Sequence, residues 1–89
     1  MHKVKFDVGE ERHVRIEIKS DAGGEFKIRT AKFELWAEDE TLEIEGECVI
    51  DDHVIDAYIK PLNEGMYELK YIYLIADETW IEPVRVVVS

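Results

Sequence analysis

The chain has 89 residues, with 21 acidic against 11 basic side chains and a formal net charge of −10. A length of this order holds a single domain, residues 1–89, which buries roughly 60–65% of its unfolded surface. The acidity repels phosphate backbones and disfavours nucleic acid, no run approaches the ~20 apolar residues of a membrane helix, and the single cysteine, Cys48, excludes an internal disulfide and the common zinc-finger spacings.

Charge is unevenly spread. Residues 1–33 hold eight Lys/Arg and six Asp/Glu (+2), and residues 34–89 hold three and fifteen (−12), which sum to −10. Such halves can face each other within one fold or between neighbouring copies, since electrostatics steer association. The opening "MHKVKFDVGEE" has no apolar core of a secretory signal. The expected setting is therefore the cytoplasm, or a virion assembled there.

Taken in order, the segments alternate with period two, as half-buried strands do. Val4, Phe6 and Val8 form the first apolar row, and Val14, Ile16 and Ile18 the second. "SDAGGE" supplies a turn in which Gly23 and Gly24 are free to take positive φ. Phe26 and Ile28 are then even, whereas Phe33 and Leu35 are odd, so a bulge or break near Arg29 to Ala31 is required to restore register. Leu42, Ile44, Cys48 and Ile50 make the fourth row, with Gly46 as a candidate second bulge. Ile55, Ala57 and Ile59 follow, then "PLNEG" as a turn, then Tyr67, Leu69, Tyr71, Tyr73 and Ile75. Ile72 and Leu74 add apolar residues on the other face, the mark of a central strand. The last row is Val84, Val86 and Val88, with Pro83 at its start arguing for an edge or a strand switch. Seven short strands in one small domain point to an all-β, two-sheet sandwich.

The stretch "LNEGMYELKY" resembles the corner and penultimate strand of immunoglobulin-like and fibronectin-type-III-like domains. In those domains the tyrosine hydrogen-bonds back to the preceding chain. Leu62, Gly65 and Tyr67 are the matching positions. The resemblance implies a seven-stranded, immunoglobulin-like, two-sheet antiparallel sandwich. The paired cysteines of antibody domains are absent, and Trp36, near the end of the third segment, is the candidate stand-in for their core tryptophan. A single acidic, cysteine-poor module of this kind resembles the small immunoglobulin-like proteins of bacteriophage tails, necks and baseplates. That likeness implies a structural role inside a particle.

The residues that carry chemistry are few. Ser20 and Ser89 are the only serines, and Cys48 falls on the inward phase, where a thiol behaves as a small hydrophobe. A Cys48/His53 dyad is the one nucleophilic pairing to weigh, and a buried thiol beside a solvated turn histidine is the expected reading, so no enzyme and no cofactor are expected. His2 and His13 read as surface. Acidic turns offer Asp51, Asp52 and Asp77 as oxygen ligands for calcium, if sandwich ends bring them together. Glu43, Glu45 and Glu47 form an alternating acidic row about 7 Å apart, open to a basic partner or to Lys27 and Arg29 across the sheet. Tyr67, Tyr71 and Tyr73 share the phase of Leu69 and Ile75 and so belong to the core. Trp80, in "ADETWIEP", is the expected interface anchor. The first expectation is a non-catalytic module that docks to a protein partner or to copies of itself as a homo-oligomer. The alternative is a ligand-binding domain for calcium, sugar or peptide that uses Asp51, Asp52, Asp77 and Trp80.

Overall fold

Period-two alternation drives this chain into sheets, because each apolar row can be buried on one face only. The computed structural model describes residues 2–19 and 25–89. Within them lie β1 (His2–Phe6), β2 (Arg12–Glu17), β3 (Ile28–Ala37), β4 (Leu42–Glu47), β5 (Val49–Asp51), β6 (Val54–Ile59), β7 (Gly65–Ile75) and β8 (Glu78–Val88). The turn expected at Gly23 and Gly24 falls outside the described residues. Among the described residues, no helix is long and apolar enough to cross a membrane.

One sheet has five strands in the order β1-β8-β7-β3-β4, and the other has three, β2-β6-β5. Neighbours are antiparallel except β1, which runs parallel to β8 with His2 opposite Val84 and Phe6 opposite Val88. Two expectations are corrected here. The fourth row is not one strand: β4 pairs with β3, whereas β5 pairs with β6, so the chain changes sheets at Cys48 and the seven strands become eight. The sandwich is also not wholly antiparallel. After Phe6 a turn closed by the Glu10 amide on the Asp7 carbonyl (3.0 Å), with Gly9 at φ 89°, carries the chain into the opposite sheet. A strand whose successor lies in the other sheet has no hairpin partner, so it is free to lie parallel to β8.

The inward rows meet between the sheets. Phe6, Leu35, Ile55, Leu69, Tyr71, Val84 and Val86 are fully buried, and each large side chain contributes about 1.5–3 kcal/mol by leaving water. β7 is the central strand that Ile72 and Leu74 implied. The Tyr71 hydroxyl crosses the core and donates to the Val14 carbonyl at 2.5 Å, tying β7 to β2. Pro83 lies in β8, one strand in from the edge. The Ser89 amide donates to β1, so residue 83 faces the same side, where described pairing begins only at His2 opposite Val84. The missing N–H therefore breaks no described ladder bond.

The phase change in β3 has the expected cause. Ile28 is opposite Ile75 but Thr30 is opposite Leu74, so Arg29 is the extra residue, and the buried row passes to Ala31, Phe33 and Leu35. Gly46 is not a bulge; it sits in register opposite Phe33, and the irregularity in β4 falls at Glu43, between Ile44 and Leu42. A Cβ on Gly46 would lie 3.1 Å from Cε1 of the Phe33 ring, a tight contact that the glycine avoids. At the corner, the Tyr67 hydroxyl donates to the Asn63 carbonyl at 2.8 Å, the backward bond expected of it. Gly65 takes φ 141°. Leu62, however, is 66% exposed, and Pro61 is the buried residue of the turn. Trp36 is no core tryptophan either: it is half-buried on the outer face and donates Nε1–H to Glu34 at 3.0 Å. Leu35, one residue earlier, takes the inward place.

Candidate interaction surface

The outer face of the five-stranded sheet follows from the register. Lys32, Glu34 and Trp36 of β3 lie beside Ile72, Lys70 and Glu68 of β7, and Ile72, Lys70 and Glu68 lie beside Ile81, Pro83 and Arg85 of β8. The face is therefore graded. Its middle is charged, with Lys70 Nζ 3.6 Å from Glu68 Oε1 and 5.4 Å from the Trp36 ring centroid. Towards the β7–β8 turn it is apolar, where Ile72 is opposite Ile81 and Leu74 is opposite Thr79.

Trp80 does not lie in a turn, as its polar neighbours implied, but in β8, opposite Tyr73. Its phase is that of the core row, yet it is 49% exposed. The next residue, Ile81, points to the opposite face and is 60% exposed. The turn end of the hairpin thus presents large apolar side chains on both faces. Tyr73, by contrast, is buried, with Ile16 to Lys19 and Glu82 around it.

The glutamate row is broken by the bulge in β4. Glu45 and Glu47 are exposed, opposite Glu34 and Lys32, so Lys32 takes the cross-strand place assigned to Lys27 and Arg29. Arg29 instead donates to the Ala76 carbonyl at 2.9 Å, steadying the β7–β8 turn. Glu43 turns towards the corner: its Oε1 accepts the Leu62 amide at 2.9 Å. Burial raises the pKa of the Tyr67 hydroxyl, and the Glu43 carboxylate adds to the rise. Glu43 is thus a clasp on the tyrosine corner.

Asp51 ends β5, opposite Val54, Asp52 lies in the β5–β6 turn and Asp77 in the β7–β8 turn. Phe26 packs on the first of these turns, with its ring stacked on His53 at 4.0 Å and its carbonyl 2.9 Å from His53 Nε2. Among the described residues, no three His, Cys, Asp or Glu side chains are gathered around a point that could hold a metal ion, so the three aspartates are not a ligand set. His53 is turned to Phe26. Burial, then Asp56 and Glu47, push the Cys48 thiol up to about 12, so it stays protonated.

One cluster was missed from the sequence. His13 Nδ1 lies 2.8 Å from Asp56 Oδ2, with Arg15 Nε at 3.6 Å and the Tyr58 ring 4.7 Å from the histidine. The residues come from β2 and β6, and 43 positions separate His13 from Asp56. Only the β2–β6 register, which sets Arg15 opposite Asp56, brings them together. No protein-family model, no curated protein and no solved structure matches the chain.

Proposed function

We propose that this chain is a non-catalytic interaction module of immunoglobulin-like architecture that docks into a larger assembly, a phage particle being the kind that its size and fold type favour. The architecture is supported by the strand order. β7 is central, β8 and β3 flank it, and β2-β6-β5 lies opposite, as in immunoglobulin-like sandwiches that carry a tyrosine corner at this point of the chain. A non-catalytic role is supported by a thiol held protonated and by a His53 ring already engaged with Phe26.

The observation that carries the docking role is the hairpin end. Trp80 and Ile81 are consecutive, face opposite ways and are both about half exposed. An isolated exposed leucine or isoleucine requires no explanation, but apolar anchors on both faces of one projecting element are the composition of an inserted contact. The test is to follow the protein through gentle fractionation of its native source, beside W80A and I81D variants. The wild-type chain should sediment with a large assembly and the variants should be released from it. A wild-type chain that sediments alone, or variants that sediment as it does, would refute the reading.

A further inference from the structure

The two edges of the five-stranded sheet, β1 and β4, carry opposite charges, and the ladders determine which backbone groups each leaves open. The Cys48 amide bonds to the Ala31 carbonyl. By the alternation of an antiparallel pair, Cys48, Gly46 and Ile44 point their backbone groups at β3, while Glu45 and Glu47 point theirs away. On the other edge the Phe6 carbonyl accepts from Ser89, so Phe6 and Val4 face β8, and Lys3 and Lys5 face outward. Lys3, Lys5, Glu45 and Glu47 are all exposed. Their side chains share the outer face, whereas Val4, Phe6, Ile44 and Gly46 lie on the core side. Each edge therefore turns outward the amides and carbonyls of the two positions that bear its charges, and of these the Lys5 carbonyl is already bonded, by Arg12.

We infer that copies of this chain join head to tail, β4 of one copy pairing antiparallel with β1 of the next, with Glu47 opposite Lys3 and Glu45 opposite Lys5. The strand directions permit this. With β1 and β8 running up, β7 runs down, β3 up and β4 down. The next copy's β1 is then antiparallel to β4 when the copies are related by a step across the sheet and its twist, and the outer faces stay on one side. Both ion pairs fall at positions whose amides and carbonyls face each other. Pairing like edges is opposed by charge, because β4 on β4 sets Glu against Glu and β1 on β1 sets Lys against Lys. A contact between two different edges does not close on itself as a two-fold dimer does, and it propagates into a ring or a filament. The β1 edge is partly guarded: Arg12 donates to the Lys5 carbonyl while its guanidinium lies 4.2 Å over the Phe6 ring. The Lys3 amide and carbonyl and the Lys5 amide then carry the join. Short strands and this guard make the contact weak for a chain in dilute solution and useful for one concentrated in an assembly.

This inference rests on the reading of the chain as an interaction module, and the two fail separately. Sedimentation velocity from about 10 µM to about 1 mM should show the wild-type mass rising above the 10.4 kDa of one chain. K3E/K5E and E45K/E47K each make both edges the same sign and should weaken association by about tenfold or more. An equimolar mixture of the two variants should associate again, because the acidic β1 of one meets the basic β4 of the other. Circular dichroism verifies the fold of each, and the single reversals K5E and E45K, which stand opposite each other in this register, replace the two double variants together if either does not fold. A monomeric wild type at the highest concentration, variants that associate as the wild type does, or a mixture that stays monomeric would each overturn the pairing. A monomer that still sediments with a native assembly removes the edge pairing and keeps the module; one that sediments alone removes both.

Discussion

Replacing Tyr71 with phenylalanine removes one oxygen from the middle of the core and nothing else. The ring is fully buried, and its hydroxyl donates at 2.5 Å to the Val14 carbonyl, itself on a buried residue. Deleting one partner of a buried bond forfeits the bond and leaves the other partner under-satisfied, at a cost of about 1–3 kcal/mol. The shape of the core is unchanged, so no cavity cost is added beyond the volume of the oxygen. The Tyr67 hydroxyl bonds to Asn63 at the rim. Water can replace that partner, so Tyr67→Phe should cost less, about 0.5–1.5 kcal/mol. In urea a small domain loses about 1–2 kcal/mol of stability per molar, so Tyr71→Phe should lower the midpoint by about 1 M and Tyr67→Phe by about half that. Equilibrium unfolding followed by tryptophan fluorescence reads both. A Tyr71→Phe midpoint within error of wild type, or a larger loss in Tyr67→Phe, would show that the inter-sheet bond contributes nothing and that the corner dominates.

Stability should fall in alkali. Burial holds the Tyr71 hydroxyl well above its ordinary value and the Cys48 thiol at about 12, against an ordinary value of 9.0 for the thiol. The stability these neutral groups contribute is fully present below pH ~9 and is lost as pH rises towards the folded-state values, where the unfolded chain ionises first, at up to about 1.4 kcal/mol per pH unit per group. Cys48→Ala should flatten the thermal-melt profile between pH ~8 and ~11 and leave its neutral end little changed. Gly46→Ala should destabilise by about 1 kcal/mol, since the core ring of Phe33, 3.1 Å from the new methyl, must move, and that outweighs the backbone entropy gained; a raised melting temperature would contradict it. Glu43→Ala should cost about 1 kcal/mol through the Leu62 amide, and its loss should be non-additive with Tyr67→Phe in a double-mutant cycle because both hold one corner.

What was legible from the sequence was whatever alternation alone decides. The switch from Ile28 to Phe33 and Leu35 required a bulge or a break near Arg29 to Ala31, and it is a bulge at Arg29. The same parity sets Trp36 outward, one residue beyond Leu35, and the fold follows that parity and not the likeness to a core tryptophan. The sheet change at Cys48 was hidden because inward parity continues through it: Ile44 and Ile50 pack against one core from opposite sheets. The parallel β1, the turned Glu43 and the pairing of His13 with Asp56 depend on contacts between distant segments. No spacing within a segment records such contacts. The edge charges were visible as a basic early part and an acidic later part, but their positions on opposite edges of one sheet required the strand order.

The proportions of the molecule bear on the docking role proposed for the hairpin, because little of its outer end is packed by the second sheet. β7 and β8 each run 11 residues, whereas β6 runs 6 and β5 only 3. At about 3.3 Å per residue the long hairpin spans about 36 Å and the strand opposite it about 20 Å. The 40 Å long axis of the molecule, against 21 and 20 Å across, has the same origin. The part of the hairpin without a facing strand buries only one side of its ladder at most, so its residues lose conformational entropy on folding with little transfer free energy in return. None of the fully buried side chains of the core lies between Leu74 and Ile81. The extra residues are ordered strand all the same, and they hold Trp80 and Ile81 away from the sandwich. A contact partner that covers both faces of the hairpin would supply the burial that the second sheet does not.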